Sequence, residues 1–303
     1  MLIGASGDPR FDLVPFRARP MFEVTPGNFA CIDPAFLLEK LHAGAFWLVF
    51  ENLSADRRND LFKAWGKLFE RYVDWLFSGM SKRPTVFFSF PAWSNGEESF
   101  DGIFWKESLI IPMEYKGGFL QREAKYAGTP DALLPELERK VVAGCEQLAS
   151  KIGALFHRDH SKRRPLRDVP TQHIRRVLPL LIVQDHALRG LLVNYWVNQR
   201  FKQLIHWQPI ASDVEVLPLN LVNIQELETL VESYEGSELD FLRVLENRAV
   251  RDPDMTSELQ YFLSGVDEYR FPQSDRANRI HDEFQSAMMS YLFPTGQEAE
   301  PPV

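Results

Sequence analysis

The sequence predicts an α/β protein that has a mixed central sheet flanked by helices and a mainly helical C-terminal extension. Residues Asn59 to Met80 place apolar side chains at helical spacing, which indicates a long amphipathic helix. Residues 99–116 contain two β-type runs joined by a short turn, and Arg175 to Asp185 is an apolar run typical of a buried strand. This order of helix, hairpin and strand favours an α/β core.

Four regions are expected along the chain. Residues 1–53 form a small α/β preface, with a turn at Pro26-Gly27-Asn28 followed by the helix-like segment PAFLLEKLHAG. Residues 54–210 form the core, and residues 211–293 are predicted to be mainly helical, with a short strand at VEVLPLNLV and a last helix near residues 279–292. The polar stretch 294–303 predicts a disordered tail.

The predicted helix 59–80 carries a carboxylate, Glu70, inside its apolar stripe. A carboxylate on a buried face is costly unless it is paired or bound to a metal. One turn earlier, Gly66 is expected to let another backbone pack closely beside Glu70. The alternative is that Glu70 forms a salt bridge with Lys67, Arg71 or a partner elsewhere in the chain.

The second strand of the hairpin carries Glu114, Tyr115 and Lys116. Because alternate residues of a strand share a face, Glu114 and Lys116 point one way and Tyr115 points the other. With a turn at residues 106–107, Asp101 lies opposite Pro112 and diagonal to Glu114, at roughly 7–8 Å between Cα atoms. Pro112 inside a strand favours a bulged or edge-like position.

These residue types suit phosphodiester hydrolysis. Two or three carboxylates and a phosphate oxygen provide the oxygen ligands that Mg²⁺ or Mn²⁺ prefers. The ion lowers the pKa of a bound water, and a nearby lysine can hydrogen-bond that water. We therefore predict a metal site at Glu70, Asp101 and Glu114 with Lys116 as the water-positioning residue, the alternative being that Lys116 simply points into solvent.

A further helix is predicted from about residue 130 to 156. Lys140, Gly144, Gln147 and Lys151 share one of its faces, which could reach the metal site or a phosphate. The alternative is a solvated polar face.

The residues Asp101, Glu114 and Lys116 resemble the signature of the PD-(D/E)XK nuclease superfamily, with Glu70 similar to the acid that many members carry on the preceding helix. Gln147 resembles the glutamine that several exonuclease-like branches carry after the catalytic strand. The proline of the signature is replaced by Phe100, as in loosely conforming members.

The resemblance covers residues 59–185 and is similar to uncharacterised bacterial nucleases of phage defence and mobile elements. It implies a restriction-endonuclease-like core and a Mg²⁺-dependent enzyme that hydrolyses DNA, possible roles being phage defence and restriction. Two alternatives stay open. The fold could be catalytically silent and serve as a nucleic-acid or protein binding module in a defence complex, or the substrate could be RNA or a nucleotide second messenger.

The formal net charge is −8, which is a poor overall match to DNA, but the charge is uneven. Residues 151–176 hold eight Lys or Arg and two Asp, a balance of +6, so the remainder carries −14. A basic loop beside a metal site is where a phosphate backbone could be held, and the alternative is a solvated loop. The predicted nucleic-acid-binding residues are Lys125, Lys140, Lys162, Arg163, Arg164 and Arg167.

The composition and motifs of the sequence exclude several classes of protein. The 45% hydrophobic and 25% charged fractions are ordinary for a soluble globular protein, and two cysteines give neither a disulfide framework nor a zinc site. There is no long apolar run, so we expect a cytoplasmic protein with no membrane contact. Walker, G-x-S-x-G and dinucleotide motifs do not occur in the sequence. A homo-oligomer stays open.

Overall fold

A mixed sheet forms the centre of the computed structural model. The structure describes residues 19–34, 49–78, 85–121, 124–125, 130–189, 191–234, 241–257 and 259–264, and the single positions 37, 44, 46, 47 and 286. The predicted helix-like segment PAFLLEKLHAG, the last helix near 279–292 and the tail 294–303 lie largely or wholly outside these residues. Within them, no helix is long and apolar enough to cross a membrane.

In the described residues, seven strands build this sheet. The first three of them along the chain form an antiparallel half at one edge, and the other strands run parallel to the third. The α/β class and the mixed sheet are therefore as the sequence predicted. The strands are β3 Val86–Ser89, β4 Gly102–Lys106, β5 Leu109–Lys116, β6 Arg176–Val177, β7 Leu180–Val183, β8 Glu215–Val216 and β9 Asn220–Asn223. A separate N-terminal hairpin consists of β1 Met21–Thr25 and β2 Asn28–Cys31.

Helices cover both faces of the sheet. On one face, the long helix α1 and the three helices after β9 share a hydrophobic core with β5. On the other face, α3 and α4 pack over a second core. The helices are α1 Ala55–Ser78, α2 Pro130–Leu137, α3 Ala143–Leu155, α4 Leu191–His206, α5 Ile224–Tyr234, α6 Phe241–Arg251 and α7 Leu259–Ser264. A π-helical turn, Glu138–Val142, joins α2 to α3 within the stretch predicted as one helix.

The β4–β5 hairpin turns at residues 107–108, one position later than predicted. Ile103 therefore pairs with Pro112, and Asp101 precedes β4 instead of lying within it. The expected pairing of Asp101 with Pro112 is wrong, and extending the register places Asp101 opposite Glu114. Because this changes the partner by two residues, the side chains stay on the predicted faces.

Pro112 lies in a central strand but is edge-like on one side among the described residues, which agrees with the predicted bulged or edge-like position. Its ring falls in a gap, because β5 pairs with β6 only up to Ile110 and with β7 only from Met113. On this side the Ile110 carbonyl accepts a hydrogen bond from the backbone N–H of Leu178 at 2.9 Å. The missing N–H of Pro112 therefore falls where the ladder is already interrupted.

Helix α1 approaches the end of β5 at a different glycine from the one expected. A Cβ on Gly117 would lie 2.7 Å from the Cβ of Phe69, so only glycine permits this contact. A Cβ on Gly66 would meet nothing within 4 Å. The prediction of close packing at Gly66 is wrong, and Gly117 is the position that brings Phe69 and Glu70 close to β5.

Candidate active site

Glu114 and Lys116 point from β5 toward α3, whereas Tyr115 packs into the opposite core. Glu114 is 2% exposed. One carboxylate oxygen, Oε2, lies 3.4 Å from Lys116 Nζ, and the other, Oε1, accepts a hydrogen bond from Lys151 Nζ. A buried carboxylate is thus held between two ammonium groups from different elements.

Asp101 is fixed beside this pair by the backbone. Its N–H donates to the Met113 carbonyl at 3.1 Å, and its Oδ2 accepts from the Tyr115 N–H at 2.7 Å. Burial raises the pKa of Asp101, although the hydrogen bond from Tyr115 and the positive charge of Lys116 act to lower it. Burial and then the charge of Asp101 raise the pKa of Glu114. The two carboxylates therefore lie within electrostatic reach of each other.

Glu70 reaches the same region from α1. It is half-buried, and its pKa is raised first by burial and then by the charge of Asp101, while Lys116 opposes the shift. Among the described residues Glu70 has no ion pair with Lys67 or Arg71, the local partners that the sequence left open. Within the described residues the carboxylate of Glu70 therefore makes no ion pair, although the positive charges of Lys116 and Lys67 both act to lower its pKa.

Gln147 positions the lysine. Its Oε1 accepts a hydrogen bond from Lys116 Nζ at 2.5 Å. Gly144 lies one turn earlier on the same face of α3, and a Cβ there would lie 2.9 Å from Lys116 Cε and 2.8 Å from Leu181 Cδ1. The glycine leaves the space through which the Lys116 side chain reaches Gln147.

The carboxylates of Glu70, Asp101 and Glu114 are suitable ligands for a hard cation, but they are not arranged as a metal site. Carboxylate oxygens are the ligands that Mg²⁺ and Mn²⁺ prefer. Because these acids are buried close to one another, a positive charge beside them favours their ionised form. However, no group of three or more His, Cys, Asp or Glu side chains in the described part of the chain could hold a metal ion as it stands. Lysines contact both oxygens of Glu114, so a cation would compete with them for this carboxylate.

Two of the predicted nucleic-acid-binding lysines have partners inside the protein. Lys125 Nζ lies 3.4 Å from Oδ1 of the buried Asp185, whose Oδ2 accepts from the Leu120 N–H. Lys140 donates to the Phe119 carbonyl at 2.5 Å. Both ammonium groups stabilise the chain that follows β5, and their role toward nucleic acid stays a prediction.

The predicted basic loop is partly neutralised. Lys162 lies 3.9 Å from Asp159, and Arg164 contacts Glu97 at 2.5 Å. Arg163 donates to a backbone carbonyl instead, that of His157. Arg167 is exposed, and its guanidinium would lie 3.1 Å from a Cβ on Gly96. Asp159 is already included in the +6 counted from the sequence, so of these contacts the one with Glu97 reduces that charge further.

Lys151 was not among the predicted site residues, although it contacts Glu114 directly. The signal available in the sequence was its spacing, since Lys151 follows Gln147 by one helical turn and shares its face. The sequence places Lys151 on the helix face that could reach the metal site or a phosphate, and its contact with Glu114 agrees with that expectation. The Lys151 side chain is 24% exposed.

Comparisons with known proteins add little. No family model matches the chain, and no curated protein is similar to it. Among solved structures, the chain is similar to the small subunit of a heterodimeric restriction endonuclease, with 12% identity and a TM-score of 0.28, covering 70% of this chain and 97% of that one.

Proposed function

We propose that the protein is a divalent-metal-dependent nuclease that hydrolyses DNA phosphodiester bonds, with phage defence or restriction as its role. The observation that supports this best is the position of Lys116. Its ammonium lies between Glu114 and Gln147, beside the carboxylate of Asp101. Acids next to a fixed amine are what metal-assisted hydrolysis requires, and a restriction-endonuclease-like core is part of the same proposal.

In this proposal Glu70, Asp101 and Glu114 would hold Mg²⁺ or Mn²⁺. When bound, the ion lowers the pKa of a water and neutralises charge on the phosphate. Lys116 hydrogen-bonds the attacking water, and Gln147 keeps the lysine side chain in place. The backbone N–H of Tyr115 orients the Asp101 carboxylate. The basic residues Lys162, Arg163, Arg164 and Arg167, with Lys125 and Lys140, are proposed to contact the phosphate backbone.

The direct test is cleavage of supercoiled and linear DNA in Mg²⁺ or Mn²⁺. We expect cleavage by the wild type and loss of cleavage in Asp101→Ala and Lys116→Ala. Lys63→Ala, an exposed position on α1, is the control and should cleave like the wild type. Cleavage that persists in both site variants would remove the assignment. Parallel assays with RNA and with nucleotide second messengers identify the substrate class.

A second candidate function is a catalytically silent nuclease fold that binds nucleic acid or a protein partner in a defence complex. It is favoured by the two lysines on Glu114 and by the lack of a ready three-ligand group in the described residues. Calorimetry with Mg²⁺ and Mn²⁺ separates the candidates. DNA binding without cation binding would support the silent module, and cation binding that Glu114→Gln abolishes would support the nuclease.

A further inference from the structure

Lys151 makes an ion pair at the place where a cation would bind. Its Nζ donates to Oε1 of Glu114, whose side chain is 3% exposed. The ammonium also lies 5.7 Å from the centroid of the Phe100 ring, on the side of the aromatic face. Lys151 comes from α3 and Glu114 from β5, so this contact ties the helix to the strand.

Most of the negative charge of the cluster is already matched without a metal. The carboxylates of Asp101 and Glu114 are matched by the ammonium groups of Lys116 and Lys151, which lower the pKa of both acids. With Glu70 the cluster has three carboxylates and two ammonium groups, a formal charge of −1, so a divalent cation would make it net positive while both lysines stay in place. A cation bound through Glu114 would compete with an ammonium group, because both oxygens of that carboxylate face a lysine, and the Lys151 contact is the closer of the two.

The two lysines differ in how firmly they are held. Lys116 has a second acceptor, Gln147 Oε1, at 2.5 Å. In the described residues Lys151 has Glu114 as its hydrogen-bond acceptor and the Phe100 ring as its other neighbour. Both lysine side chains are 24% exposed, so either ammonium can reach solvent, and that of Lys151 can do so while staying close to the ring. The second acceptor of Lys116 is the difference, and it makes Lys151 the lysine that is held at the site through Glu114 alone among the described acceptors.

We propose that Lys151 is a displaceable internal counter-ion, which holds Glu114 in the absence of metal and competes with a divalent cation for its Oε1 atom. This rests on the proposed function, because it assumes that the Asp101–Glu114 pair binds a cation. Displacement brings the Lys151 ammonium to the edge of the site, where an anionic phosphate can accept its hydrogen bond.

The test is the affinity for Mn²⁺, measured by calorimetry on the full chain at one pH and one ionic strength. Breaking a charge-assisted hydrogen bond to bind the ion corresponds to roughly a tenfold to hundredfold loss of affinity. We therefore expect Lys151→Met to bind Mn²⁺ about tenfold or more tighter than the wild type. Lys151→Arg keeps the charge and should bind like the wild type. Lys63→Met removes an exposed charge on α1 and is the control for net charge.

The outcomes separate the two proposals. If the wild type binds Mn²⁺ through Glu114, as shown by loss of binding in Glu114→Gln, and Lys151→Met binds no tighter, the counter-ion role is wrong and the nuclease proposal stands. If neither protein binds Mn²⁺, both proposals are wrong. Lys151→Gln is the second variant if Lys151→Met does not fold without metal, and the same increase in affinity is expected of it.

Discussion

The carboxylate of Asp101 accepts a 2.7 Å hydrogen bond from the backbone N–H of Tyr115. Strand β4 begins only at Gly102, so a side chain here takes the place of the ladder acceptor that a longer strand would supply. This bond fixes Asp101 next to Glu114, the residue before Tyr115. The position of the acid is therefore decided by the hairpin backbone and not by a flexible loop.

The first prediction concerns Asp101 and pH in metal-free protein. Burial raises the pKa of Asp101 in the folded state above its ordinary value of 3.8. The folded state therefore keeps the proton to a higher pH than the unfolded state, and this carboxyl makes stability fall as pH rises through that window. Asp101→Asn cannot ionise but can still accept from Tyr115. The variant should be more stable than the wild type at neutral pH, and the difference should shrink toward pH 4.

Urea unfolding in EDTA at several pH values measures this difference. Asp254→Asn is the matched control with the opposite sign, because its hydrogen bond and ion pair with Lys202 lower the pKa of Asp254. That variant should lose stability at neutral pH relative to acid. A difference between Asp101→Asn and the wild type that does not change with pH would contradict a raised pKa at Asp101.

The second prediction concerns Gln147 as a positioning residue, given the proposed nuclease activity. Gln147→Ala removes the second acceptor of Lys116 and lets the ammonium move relative to the scissile phosphate. We expect kcat to fall about tenfold or more, with a smaller change in KM and an unchanged melting temperature. Steady-state kinetics measure the changes in kcat and KM separately. Glu146→Ala, at the neighbouring exposed position, should leave kcat unchanged.

The third prediction compares two glycines. Gly117→Ala places a Cβ 2.7 Å from Phe69, so α1 or the end of β5 must shift, and the free energy of unfolding should fall by roughly 1–3 kcal/mol. Gly66→Ala meets nothing within 4 Å in the middle of α1 and should raise stability by up to about 1 kcal/mol. Urea unfolding of both variants tests the pair. Equal effects would show that the close contact at Gly117 is absent in solution.

The fourth prediction concerns DNA binding by the basic loop. If Lys162 and Arg167 each neutralise a phosphate, the double variant Lys162→Ala/Arg167→Ala should lower the slope of log affinity against log salt by about two. Fluorescence anisotropy with a DNA duplex over a salt series measures the slope. Arg175→Ala removes a charge that lies 3.7 Å from Asp213 and should change the slope less. If both variants leave the slope unchanged, the basic loop is solvated and does not bind DNA.

The local parts of the fold followed from the sequence. The helix predicted at 59–80 is observed at Ala55–Ser78. The apolar runs at residues 175–185 and VEVLPLNLV lie in the sheet as predicted, but each forms two short strands instead of one. Side-chain alternation placed Glu114 and Lys116 on one face, because that alternation is a property of any strand. The predicted turn of the hairpin is one residue too early, because the residue preferences of a turn do not distinguish two adjacent positions.

The sequence by itself determined which residue types lie on each face of each element, because helical and strand periodicity are fixed by local backbone geometry. Only the tertiary structure decided which charges meet. It placed Lys151 on Glu114, Lys125 on Asp185 and Arg164 on Glu97, and it gave the close approach to Gly117 instead of Gly66. Such contacts join segments far apart in the chain, and they depend on how the helices cross the sheet, which no local pattern encodes.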